Sequence, residues 1–135
     1  MANKKFEIEI KETKGACDND LFKKMIMRGD IQAKKVADYI DKVVNIYGYA
    51  KTHITTDDKD FDMNYYMDDK GLILSSGSEY FMQSLEDYFN DCSTFRIVEV
   101  KTKKGKTYKV MPCIVNPKTG NVTDLDAGTD DDLPF

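Results

Sequence analysis

Ser76-Gly77-Ser78-Glu79-Tyr80-Phe81-Met82-Gln83-Ser84-Leu85 is the clearest helix start in the chain. It has capping-box form, a serine followed three residues later by a glutamate, and it leads into Met82, Leu85 and Phe89 on one helical face. Strands flank it on both sides. Upstream, residues 43–55 are rich in β-branched and aromatic types, with Gly48 interrupting them, as a strand with a bend or bulge reads. Phe61, Met63, Tyr65 and Met67 then alternate strictly, and Asp68-Asp69-Lys70-Gly71 turns the chain into Leu72-Ile73-Leu74, which makes a hairpin. Downstream, residues 95–100 and 107–115 are two more strands joined around Lys103-Lys104-Gly105-Lys106. Pro112 implies an edge or a bulge in the second of them.

The order from residue 43 is thus a long strand, a hairpin, a helix and a final hairpin. A five-stranded Greek-key barrel of the oligonucleotide-binding (OB) type carries its helix between the third and fourth strands. The predicted fold is therefore mainly β, a five-stranded OB-fold barrel with a helix between strands 3 and 4. A ferredoxin-like sandwich would need a second substantial helix after a strand pair. Residues before 43 add a short N-terminal α/β extension, read as an added layer. In it Phe6-Glu7-Ile8-Glu9-Ile10 alternates like a half-buried strand that Gly15 ends. Leu21, Phe22, Met25 and Ile26 recur at helical spacing, capped by Asp18 or Asp20 and stopped by Gly29. Val36, Tyr39, Ile40 and Val43 suggest a further helical turn or two.

The 135 residues fit one domain. A hydrophobic share of 41% and a charged share of 33% describe a globular chain with a polar surface. Nothing in it resembles a signal peptide or a membrane span, so a cytoplasmic location is expected. Cys17, Cys92 and Cys113 are widely spaced and form no C-x-x-C pair, which argues for reduced thiols rather than a disulfide framework or a zinc site. The net charge of −4 argues at first against a polyanionic partner. That charge is unevenly spread. Beyond Lys118 there is no basic residue, whereas Asp124, Asp126, Asp130, Asp131 and Asp132 are all acidic, so the rest of the chain is close to neutral.

Residues 1–116 are accordingly expected to form the binding domain and residues 117–135 a flexible acidic tail. The tail finishes on Asp130-Asp131-Asp132-Leu133-Pro134-Phe135. Such an ending suits docking: Phe135 offers a rigid ring for a pocket, its α-carboxylate can meet an arginine or lysine, and the aspartates steer toward a basic rim.

These six residues resemble the acidic tip of bacterial single-stranded DNA-binding proteins (SSBs), which ends in aspartates followed by an aliphatic residue, proline and phenylalanine. Residues 46–115 are also similar to divergent SSB-like proteins of phages and mobile elements of Gram-positive bacteria, through Gly48-Tyr49-Ala50, Gly77-Ser78 and Lys104-Gly105-Lys106-Thr107-Tyr108. In that family the tip docks replication, recombination and repair proteins, and an OB-fold before it coats single strands. The resemblance implies that Asp130, Asp131, Asp132, Leu133, Pro134 and Phe135 bind partner proteins. The chain lacks tryptophan, the amino-terminal strand pattern and the longer linker of cellular SSBs, which points to a phage or mobile-element member, possible as a homo-oligomer.

Coating a single strand needs aromatic faces, worth about 1–3 kcal/mol per stacked base, and a basic groove along the phosphates. Tyr47, Tyr49, Phe61, Tyr65, Tyr66 and Tyr108 fall on expected strands. Alternation puts Tyr47 and Tyr49 on one face and forces Tyr65 and Tyr66 onto opposite faces, so one of that last pair is core. Lys51 and His53 alternate with Tyr49. Lys101, Lys103, Lys104, Lys106 and Lys109, with Arg96 nearby, are the densest basic cluster, and in an OB barrel the loop joining the last two strands borders the nucleic-acid cleft. The expected single-stranded-DNA contacts are Tyr47, Tyr49, Lys51, His53, Tyr65, Tyr66, Arg96, Lys101, Lys103, Lys104, Lys106, Tyr108 and Lys109.

No P-loop, no G-x-S-x-G elbow and no cysteine with a plausible histidine base is visible, so no enzyme, cofactor or metal is expected. The acidic runs around Asp57–Asp62 and Asp68-Asp69 lack calcium-loop spacing. A rival from another class is an interaction protein or DNA mimic that competes for SSB-tip partners without binding DNA.

Overall fold

A computed structural model describes residues 6–125. Through them the chain runs β1 (Phe6–Gly15), α1 (Asp20–Arg28), β2 (Lys34–Lys35), a 3-10 turn (Val36–Tyr39), β3 (Val43–Asn45), β4 (Gly48–Thr56), β5 (Asp60–Met67), β6 (Ile73–Ser76), α2 (Glu79–Tyr88), β7 (Thr94–Thr102), β8 (Gly105–Val115) and β9 (Val122–Asp124). The strands make two sheets, ordered β1-β4-β5-β6-β2 and β3-β7-β8-β9. The described chain divides into two compact units, one of residues 6–35 with Tyr47–Gly77 and one of Val36–Ile46 with residues 78–125. None of its helices is long and apolar enough to cross a membrane.

The first unit is a sheet covered by α1. The helix begins at Asn19, whose side chain accepts the Phe22 N–H at 2.8 Å, and not at the expected Asp18 or Asp20. Asp18 instead pairs with Lys23 at 2.9 Å. Gly29 ends the helix with φ 73, and its N–H bonds back to Ile26. Phe22 and Ile26 are buried with Cys17 and Ala50, and Ile8, Ile10, Tyr65, Met67 and Ile73 close around them. Burial pushes the Cys17 thiol up to about 12, so it stays protonated. The amino-terminal residues are therefore not an added layer. β1 pairs antiparallel with β4 along its length, and β2 pairs parallel with β6, so the extension supplies both edges of this sheet.

The second unit is a sheet with α2 against β8. Ser78, not Ser76, caps α2 by accepting the Phe81 N–H at 3.2 Å, while Ser76 still belongs to β6. Ser84 Oγ accepts the Val110 N–H at 3.1 Å, which ties the helix to the strand. Phe81, Met82, Leu85, Phe95, Ile97 and Val110 are buried in this unit.

Three expectations change. The long strand at 43–55 is two strands in different sheets, because Ile46 donates to Ser93 while Tyr47 donates to Met67. The sheets are not closed into a barrel. In a closed ring β4, β6 and β8 would need free edges, and these are taken by β1, β2 and β9. Finally, residues 117–125 are not a free extension: Gly120 N–H bonds to Asn116, and β9 then pairs antiparallel with β8. β9 also makes β8 an interior strand despite Pro112. The Pro112 carbonyl accepts the Leu125 N–H at 2.8 Å, so its missing donor falls at the end of the short β9 ladder rather than in the β7 ladder.

Candidate nucleic-acid interface

The basic hairpin forms as the sequence suggests. Thr102 stands opposite Gly105, leaving Lys103 and Lys104 as the turn, and Gly105 takes φ 132, a conformation glycine tolerates. The Thr102 hydroxyl donates to the Gly105 carbonyl at 3.0 Å and accepts the Lys104 N–H at 3.3 Å. Both turn lysines are exposed. The register also sets Lys101 directly opposite Lys106, a like-charge pair that weakens an isolated hairpin and is relieved by an anion. The Glu99 carboxylate reaches Lys106 only at 3.8 Å.

Along the same strands alternation separates two faces. Arg96, Val98 and Val100 share one face with Lys109 and Met111, while Tyr108 and Lys106 lie on the other with Glu99. A groove of about 520 Å³ opens here, lined by Arg96, Val98, Val100, Lys101, Lys109 and Met111, with Asp41, Glu99 and Asp124 also on its wall. It combines cations with an apolar floor. Arg96 is the best-defined group in it. Its Nε donates to Asp124 Oδ1 at 3.2 Å and its Nη2 to Asp124 Oδ2 at 2.5 Å, a two-pronged pair, and Nη1 donates to Asp41 Oδ1 at 3.2 Å. The hydrogen bonds to Asp124, helped by the charges of Asp124 and Asp41, raise the guanidinium pKa further, so it stays cationic. Asp41 and Asp124 have no signal in the sequence, being 55 and 28 positions from Arg96.

The remaining expected contacts lie in the first unit. Tyr47 is 42% exposed and available to a ligand. Tyr49 and Tyr66 are at 2% and 1%, so neither can take a base on its ring, and both leave the candidate set as core residues. Tyr65 packs against the α1 cluster, and its burial raises its hydroxyl pKa. Lys51 shares the Tyr49 face, pairs with Glu12 at 3.2 Å and sits 6.0 Å over the Tyr49 ring. His53 Nδ1 meets Asp62 Oδ1 at 2.7 Å, and Lys11 meets the same oxygen at 3.3 Å. The expected site is thus spread over two units, and only Arg96, Lys101 and Lys109 line one groove. Asp130–Phe135 lie outside the described residues.

Comparison with protein-family models, with curated proteins and with solved structures finds no match.

Proposed function

We propose that this chain binds single-stranded DNA without marked sequence preference, during replication or recombination of a phage or mobile element in the bacterial cytoplasm, and recruits partner proteins through Asp130–Phe135. The observation that carries the reading is the groove in which Arg96 and Lys109 stand beside Val98, Val100 and Met111, with Lys101 on its rim and the lysine hairpin at the end of the same two strands. Cations beside an apolar floor suit a strand that offers phosphates on one side and bases on the other. The facing Lys101 and Lys106 have the same preference for a polyanion.

The finer fold reading, an oligonucleotide-binding architecture opened by added edge strands, belongs to the same proposal. It is supported by the element order, with α2 between the hairpin β5–β6 and the hairpin β7–β8, and by a first strand whose two parts, β3 and β4, serve different sheets.

Fluorescence anisotropy of labelled oligo-dT tests the function. Binding should be clear at roughly 50 mM salt and weaken at roughly 200 mM, as counterion release requires. Absence of binding at the lower salt overturns it. One observation favours the rival reading, an interaction protein that competes for tip partners: Arg96 already holds two carboxylates. A protein of that kind would bind tip-recognising partners and ignore oligo-dT.

A further inference from the structure

We infer that Asp124 and Asp41 are built-in counter-ligands of the groove, occupying Arg96 in the free protein until a phosphate displaces them, with β9 as the latch. This rests on the reading of the groove as a phosphate-binding site. A carboxylate and a phosphate present similar pairs of oxygens to the guanidinium fork, so Asp124 holds Arg96 in the way a ligand phosphate would.

Two features support a hold that is built in and can be released. Asp41 is the non-glycine residue with positive φ among the described residues, at 67, and its N–H donates to the Ile97 carbonyl at 2.6 Å. Backbone held in that region is strained, and aspartate is among the few side chains that tolerate it. The Asp41 carboxylate lies within hydrogen-bond reach of Arg96, although 76% exposed. Asp124, by contrast, rides on a strand that is easily released. β9 has three residues, is an edge strand paired only to β8, and leaves Val122 at 41% and the following Leu125 at 52% exposure. Little buried apolar surface keeps such an element in place. A phosphate competing for Arg96 therefore works against two surface-accessible carboxylates and a short ladder, and not against the core.

Arg28 and Arg96 are the chain's arginines, which makes the test internal. Arg28 is exposed at the end of α1 and serves as the standard. Phenylglyoxal labelling followed by mass spectrometry should modify Arg96 several-fold more slowly than Arg28 in the unaltered protein. Asp124→Asn should bring the Arg96 rate close to that of Arg28, and Asp41→Asn should raise it less. Equal rates in the unaltered protein, or no acceleration in Asp124→Asn, overturn the latch. Should Asp124→Asn fail to fold, Asp41→Asn alone must still accelerate labelling.

With oligo-dT, Asp124→Asn should bind about threefold to tenfold tighter at low salt, the size of one uncovered charge-assisted contact. Its log–log salt slope should be steeper by about 0.7, one more phosphate neutralised. Binding by both proteins with equal affinity and slope overturns the latch and leaves the DNA reading standing. Binding by neither overturns the DNA reading, and the labelling rates then decide the latch by themselves.

Discussion

Tyr49 and Tyr66 stand directly opposite each other across β4 and β5, and both are buried. Aromatic pairs facing each other in this way are a main source of sheet stability. Tyr66→Ala should lower the unfolding free energy by about 3–5 kcal/mol, measured by urea denaturation. Tyr66→Leu, where folded, should leave oligo-dT affinity unchanged. A clear loss of affinity in that variant would return Tyr66 to the binding site.

Gly48 is required by what approaches it. A Cβ there would lie 2.5 Å from the backbone nitrogens of Ala16 and Cys17 and 2.9 Å from the Lys14 carbonyl, all main-chain atoms with nowhere to move. Gly48→Ala should cost about 1–3 kcal/mol, and more if the β1–β4 ladder separates. At Gly77 the nearest atom, the Asp62 carbonyl, is 3.4 Å from the same position, an ordinary contact. Gly77→Ala should therefore be neutral or stabilising by up to about 1 kcal/mol, because it reduces the freedom of the unfolded chain. Thermal melts of the two variants compare them directly.

His53 and Asp62 give stability a pH dependence. The hydrogen bond that His53 donates to Asp62 raises the His53 pKa above 6.5, and the same bond, with one from Lys11, lowers the Asp62 pKa below 3.8. A raised histidine stabilises below its unfolded pKa and loses that contribution as pH rises through the folded value. A lowered carboxylate stabilises above its unfolded pKa and loses that contribution as pH falls through the folded value. The pair is thus fully effective between 3.8 and 6.5. The stability difference between the unaltered protein and His53→Gln should be larger at about pH 5 than at about pH 8. Urea midpoints at the two values measure it, and a difference that grew with pH would contradict the pairing.

Lys101 should show opposite signs in two assays. Lys101→Met removes the repulsion with Lys106 and should raise unliganded stability by about 0.5 kcal/mol. It should also weaken oligo-dT binding and flatten the salt slope by about 0.7. Loss of both stability and binding would make Lys101 a structural residue.

The parts of the fold that were legible in the sequence rest on short-range signals. The α2 start showed in a serine and a glutamate, although the serine that caps is Ser78, because Ser76 is drawn into β6 opposite Asn64. The Asp68 turn showed because its carboxylate accepts the N–H groups of Lys70 and Leu72, two and four residues on. The alternation of β1 was plain up to Ile10 and then faded. A bulge between Ile10 and Glu12 shifts the register there, so the apolar pattern loses its period.

The sequence by itself determined β1, α1, β5, β6, α2, β7 and β8 in their order, the lysine hairpin and the acidic end, since caps, turns and alternation are written within a few consecutive residues. Tertiary structure decided which tyrosines are core, where the 43–56 segment divides between sheets, and that Arg96 meets Asp41 and Asp124. Those outcomes depend on burial and on charges brought together from positions far apart in the chain, and local spacing carries no record of either.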